Sequence, residues 1–138
     1  MNTGTDYVEI FESLDDYRKW LTGHHPDVGL LEKAYLPGSE VYDRLRGDLE
    51  ILQRDNTRLV DVEHRMEVDV VSVRDGVVNL SVVEHATALQ LIGVGGDVLD
   101  EQRLADVTRY TGYLVVASDG VWRIGALERL VDEGAVQL

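Results

Sequence analysis

The sequence contains no cysteine, two prolines, one phenylalanine and only two lysines, Lys19 and Lys33. Without cysteine there is no disulfide framework, no thiolate nucleophile and no cysteine metal site. No apolar run approaches the roughly 20 residues that cross a bilayer as a helix. Met1 to Asp6 also lacks the basic flank and apolar core of a signal peptide. A soluble, cytoplasmic protein without membrane contact is the expectation. Positive charge is scarce too, with 13 basic residues against 26 acidic ones and a formal net charge of −13. A phosphate backbone is bound by a basic stripe that displaces counterions, so nucleic acid is not an expected partner. The acidic residues divide as 12 before residue 59 and 14 after it, the spread of a solvated surface and not of an acidic tail. There is no Gly-x-Ser-x-Gly elbow and no His-Glu-x-x-His pair. Gly93-Val94-Gly95-Gly96 lacks the strand-loop-helix context of a dinucleotide fingerprint, and no lysine follows it as a phosphate loop requires.

What is present fixes an architecture. At 138 residues and 44% apolar content the chain is the size of one domain, 1–138, with material for a single core. Two Asp-Gly pairs, Asp75-Gly76 and Asp119-Gly120, each join alternating apolar and polar runs, the strongest short-range sign of a hairpin. Residues before about 56 read as helices, so the expectation is an α+β fold. Its helical part covers about 12–54, its curved antiparallel sheet about 58–127, and a tail 128–138.

Tyr7 to Ile10 reads as a short extended segment, after which Ser13 and Asp16 have the spacing of a cap with an acidic partner. Leu14, Tyr17, Trp20 and Leu21 then recur at helical spacing up to Gly23. Asp27 caps a second short helix carrying Leu30, Leu31 and Tyr35, and Leu36-Pro37-Gly38-Ser39 breaks it before Ser39 caps a third over about 40–54. Val41, Leu45, Leu49 and Leu52 make one stripe on that third helix, which needs a sheet to cover.

From Val60 to Val70 the even positions, His64 and Met66 among them, share one strand face, and Asp61, Glu63, Arg65, Glu67 and Asp69 share the other. Past Val70 the pattern turns apolar on both sides, as for a strand end covered by a partner subunit or another part of the chain. A two-residue loop at Asp75-Gly76 would set Met66 opposite His85 and His64 opposite Thr87, with both histidines on the apolar face. The same register puts Glu67 against Glu84, an unfavourable pair that a bulge would relieve. The glycine-rich segment 93–97 and the long link on to Gln102 are expected to be a mobile lid or a floppy loop. The last hairpin would pair Ala117 with Trp122, Val115 with Ile124 and Tyr113 with Ala126.

Helices followed by long strands, with Tyr35-Leu36-Pro37-Gly38-Ser39 leading into a helix and Gly120-Val121-Trp122-Arg123-Ile124 near the end, resemble the nuclear transport factor-like superfamily. This group is also called ketosteroid isomerase-like or SnoaL-like, and the two segments are similar to those of its small actinobacterial members. The resemblance implies a cone of sheet and helices that hosts isomerases, cyclases, transport adaptors and assembly subunits alike. The aspartate base and tyrosine/acid oxyanion pair of the familiar isomerase do not map onto positions of this chain. An enzyme of the group would use a general acid or base inside the cone, for which His64 and His85 are the candidates. Tyr17, Trp20, Tyr35, Tyr42, Met66, Tyr113 and Trp122 are the candidate pocket lining. Val71, Val73, Val78, Leu80 and Val82 are the candidate interface of a homodimer. His24 and His25 are adjacent, so they point apart and make a poor metal pair; no metal or cofactor is expected. Two functions remain: a non-catalytic binding or assembly module acting as a homo-oligomeric accessory protein, which is preferred, and a small-molecule isomerase, cyclase or ligand binder.

Overall fold

The computed structural model describes residues 5–104 and 107–130. Helix α1 spans Tyr7–Gly23 and α2 spans Glu40–Asp55, with a 3₁₀ turn at Val28–Lys33 between them. Among the described residues seven strands follow: β1 Arg58–Val62, β2 Arg65–Arg74, β3 Val77–His85, β4 Ala88–Ile92, β5 Val98–Arg103, β6 Val107–Val116 and β7 Trp122–Arg129. They form two antiparallel sheets in the orders β2-β3-β6-β7 and β1-β4-β5. The helices pack on the curved surface, which does not close into a barrel. The α+β expectation, helices first and sheet second, is met.

The first helix starts earlier than the capping pattern suggests. Asp6 is its N-cap, accepting from the Glu9 amide at 3.2 Å, so Tyr7 to Ile10 is helical and Ser13 lies inside the helix. Starting at Tyr7 lets Ile10 and Phe11 reach the core, where they are 7% and 2% exposed. Asp27 and Ser39 cap where expected, accepting from the amides of Gly29 and Tyr42.

The long strands read from the sequence are broken in two, because each passes from one sheet to the other. Glu63, at φ +53°, separates β1 from β2. Residues 86–87 separate β3 from β4 in the same way. Each break inverts the alternation, so odd residues Leu59 and Asp61 of β1 face the helices while even residues Met66 and Val68 of β2 face the core. The Asp75-Gly76 turn has both residues at positive φ, +44° and +77°, and pairs Arg74 with Val77 as expected. A bulge between Val70 and Ser72 then shifts the ladder by one residue. Met66 therefore faces Glu84, Arg65 faces His85, and Glu67 meets Val83, which removes the clash of two carboxylates.

The expected loop from Gly93 to Gln102 is instead a tight turn at 93–97 followed by strand β5. Gly93 donates to Asp97 O at 2.9 Å and Gly96 to Gly93 O at 3.0 Å, closing the β4–β5 hairpin. The last hairpin has a wider loop than the dipeptide alone implies, so Val116 pairs with Trp122 and Leu114 with Ile124. A bulge beside Gly125 restores Tyr113 opposite Ala126, the one expected pair of the three that is found.

The core joins Phe11, Leu14 and Leu21 of α1, Leu31, Tyr35, and Leu49 and Leu52 of α2 to Val78, Leu80, Val82, Leu114 and Ile124 of the sheet. Val78, Leu80 and Val82 are 0%, 1% and 2% exposed. They cannot form an intermolecular surface, because they face the helices of their own chain. Val71 and Val73, assigned with them, are 61% and 49% exposed, so no described part of the chain covers that end of β2. The tail beyond Leu130 lies outside the described residues.

Candidate functional site

A cavity of about 570 Å³ opens between α1, α2 and the two sheets. Its charged wall grows from local choices in three elements. Asp15 and Arg18 are three residues apart on α1, which puts them on one helix face. Asp61 comes from the inward side of β1, and Glu84 from the last inward position of β3. The break at Glu63 turns His64 inward behind them, where its side chain is 3% exposed.

Arg18 holds the cluster together. Its Nη2 lies 3.0 Å from Asp15 Oδ1 and 2.9 Å from Asp61 Oδ2, and its Nε donates to Asp15 Oδ1 at 3.2 Å. Burial disfavours the guanidinium charge, but Asp15 and Asp61 outweigh it and hold Arg18 protonated. His64 Nδ1 is 3.2 Å from Lys19 Nζ, and its Nε2 is 3.0 Å from Glu84 Oε2. An ammonium only donates, so Nδ1 accepts, and Nε2 carries the hydrogen and donates to Glu84. Asp15, Asp61 and Glu84 gather around Nε2 at 3.8, 3.9 and 3.0 Å, and Lys19 also lies 3.4 Å from Asp16, so in this cluster carboxylates outnumber the cations Arg18 and Lys19. Two of its oxygens, Asp15 Oδ2 and Asp61 Oδ1, are buried without a hydrogen-bond partner.

Two phenols adjoin the cluster. Burial pushes the Tyr35 hydroxyl well above the usual range, against the opposing pull of Arg18. Tyr110 is raised by burial and by Glu84, opposed by Arg129, Arg44 and Arg18. Both keep their protons and can donate.

Of the residues assigned from sequence, Tyr35 lines this cavity. His64 lies behind the wall and reaches it through Glu84. His85 follows Glu84 on the strand and so points to the other face, 3.6 Å from Glu67 Oε2. The two histidines are not brought together: the bulge and the strand breaks changed the register that had aligned them. Tyr17 donates to Leu30 O at 3.3 Å and stacks on Trp20, which stacks in turn on His25. Trp122 is 8% exposed and meets Tyr7 edge-on. Tyr42 and Met66 pack against the core, and Tyr113 lies between the outward positions Asn79 and Ala126. None of these six lines the cavity.

Tyr110, one of the tyrosines the sequence offers as phenol donors, does line the cavity, whereas Asp15, Arg18 and Asp61 went unrecognised and Glu84 was not read as facing inward. The Asp15/Arg18 spacing was a usable signal. Asp61 and Glu84 were not legible, because simple alternation put Asp61 on the solvent side.

No family model matches the chain, and no curated protein matches it. Among solved structures it is similar to the intermembrane space region of the chloroplast protein ARC6, with TM-score 0.62 and 10% identity over 94% of this chain and 98% of that one. It is also similar to Aln2 from a Streptomyces species, with TM-score 0.58 and 18% identity over 95% and 93% of the two chains. Helices on a curved, open antiparallel sheet are consistent with a nuclear transport factor-like fold. At these identities the likeness concerns the backbone alone. Among the described residues no group of three or more His, Asp or Glu is arranged to hold a metal ion, and no helix is long and apolar enough to cross a membrane.

Proposed function

We propose that the protein binds a small organic molecule in this cavity and that Glu84 takes or returns a proton on it, in chemistry of the isomerase or cyclase type. The observation that carries the reading is the chain Lys19–His64–Glu84, with contacts of 3.2 and 3.0 Å, which ends on the cavity wall. A carboxylate held by one imidazole N–H is oriented on the cavity wall with its second oxygen free to meet a substrate proton, and Tyr110 beside it can donate to a developing oxyanion. His64 acts here as a positioning residue. Within its fold group, the segments Tyr35–Ser39 and Gly120–Ile124 support kinship with the small actinobacterial SnoaL-like proteins, which fits a cytoplasmic protein.

A second reading keeps the protein as a homo-oligomeric accessory module. It is favoured by one patch: Val70, Val71, Val73 and Val77 are 43%, 61%, 49% and 37% exposed at one end of β2 and β3. Native mass spectrometry of the purified protein separates the two. The pocket reading expects a co-purified small molecule, retained by Glu84→Gln but not converted by it. An empty oligomer that dissociates on Val71→Lys would overturn the pocket reading in favour of the module.

A further inference from the structure

The cavity has two chemically opposite ends. At its mouth stand three arginines from three elements: Arg44 of α2, Arg103 at the end of β5 and Arg129 at the end of β7. In a protein of net charge −13 with eleven arginines, such a gathering departs from the average surface. Among the described residues none of the three is within ion-pair distance of a carboxylate, as is also true of Arg58, Arg74 and Arg109; what sets the three apart is that they line one cavity, where Arg44 also acts on Asp48 one turn along α2. At the deep end lie Asp15 Oδ2 and Asp61 Oδ1, buried acceptors with no donor; their side chains are 10% and 6% exposed. A buried acceptor left unmatched is costly, so it marks where a donor belongs.

We infer that the ligand is an organic anion with two distinct ends, a carboxylate gripped by Arg44, Arg103 and Arg129 and a hydroxyl or ammonium donor reaching Asp15 and Asp61. This rests on the small-molecule reading above and adds the ligand's class and orientation. The arginine fork matches a carboxylate in two parallel bonds, which fixes the outer end. The excess negative charge of the inner cluster repels a second anion, so a dicarboxylate is disfavoured and the molecule enters donor first. Glu84 and Tyr110 then face its middle.

Calorimetric titration of the intact protein with three probes tests this: 4-hydroxybenzoate, its methyl ester, and benzoate. The ester keeps the donor and loses the anion; benzoate does the reverse. At low ionic strength 4-hydroxybenzoate should bind more tightly than either, with an advantage over the ester of up to about fivefold for each arginine engaged. Arg44→Gln, Arg103→Gln and Arg129→Gln together should erase that advantage, and a melting curve that stays cooperative certifies the fold of the variant. Equal binding of acid and ester would overturn the anion assignment and leave the cavity as a binding site. Equal binding of 4-hydroxybenzoate and benzoate would overturn the donor assignment in the same way. If none of the three binds, both the inference and the small-molecule reading fall.

Discussion

Arg18 carries more of this structure than any other side chain of the site. It bridges two buried aspartates, so Arg18→Met leaves Asp15 and Asp61 with only the more distant His64, at 3.8 and 3.9 Å, beside them. Breaking a buried pair this way costs about 3–5 kcal/mol, and urea unfolding of the variant should find a loss of that size. Tyr35 gives a pH signature. Its folded-state pKa is raised by burial, so the native state holds a proton that the unfolded chain releases above its usual pKa of about 10. Stability from this group is complete below that pH and falls as pH rises, by up to about 1.4 kcal/mol per pH unit. Unfolding of the wild type and Tyr35→Phe, followed between about pH 9 and 11, should show a shallower decline in the variant; identical slopes would exclude Tyr35 as the source. At this scale the sequence made His64 conspicuous because it is a polar residue in an apolar run. It left Glu84 inconspicuous, because a carboxylate near a strand end is ordinarily solvated.

Elements are set by local chemistry, except where a competing start signal exists. The capping-box pattern at Ser13 lost to Asp6, since the earlier start buries Ile10 and Phe11. Asp6→Ala should cost about 0.5–1 kcal/mol as a lost cap. Ser13→Ala, at an exposed helix-interior position, should be neutral or slightly stabilising; thermal melts of both variants decide which residue caps. In the last hairpin Gly125 sits at the bulge, and a Cβ there would lie 2.6 Å from Val115 Cγ2. Gly125→Ala should therefore destabilise by about 1–3 kcal/mol through overpacking. A melting temperature unchanged from wild type would show that the bulge can open to admit the methyl group. The bulges at Val71 and Gly125 each shift a register by one, and no turn dipeptide announces them.

The whole molecule separates two valine sets that look alike in sequence. Leu80→Glu should unfold the protein, because Leu80 is 1% exposed in the core of its own chain. Val71→Lys changes a residue 61% exposed and should leave the melt within about 0.5 kcal/mol of wild type. If the β2 end mates with a second copy, sedimentation of Val71→Lys should report monomers where the wild type forms dimers. Wild-type monomers would leave that patch without a mate.

The order of elements, the caps at Asp27 and Ser39, the Asp75-Gly76 turn and the α+β class were determined by the sequence alone, because each depends on residues within a few positions of one another. The site was decided by tertiary structure. The positive-φ kink at Glu63 and the break at residues 86–87 transfer strands between sheets and invert which side chains face inward. Asp61, His64 and Glu84 meet Arg18 only through those inversions, and whether a strand bends at a given residue depends on what the helices bring against it.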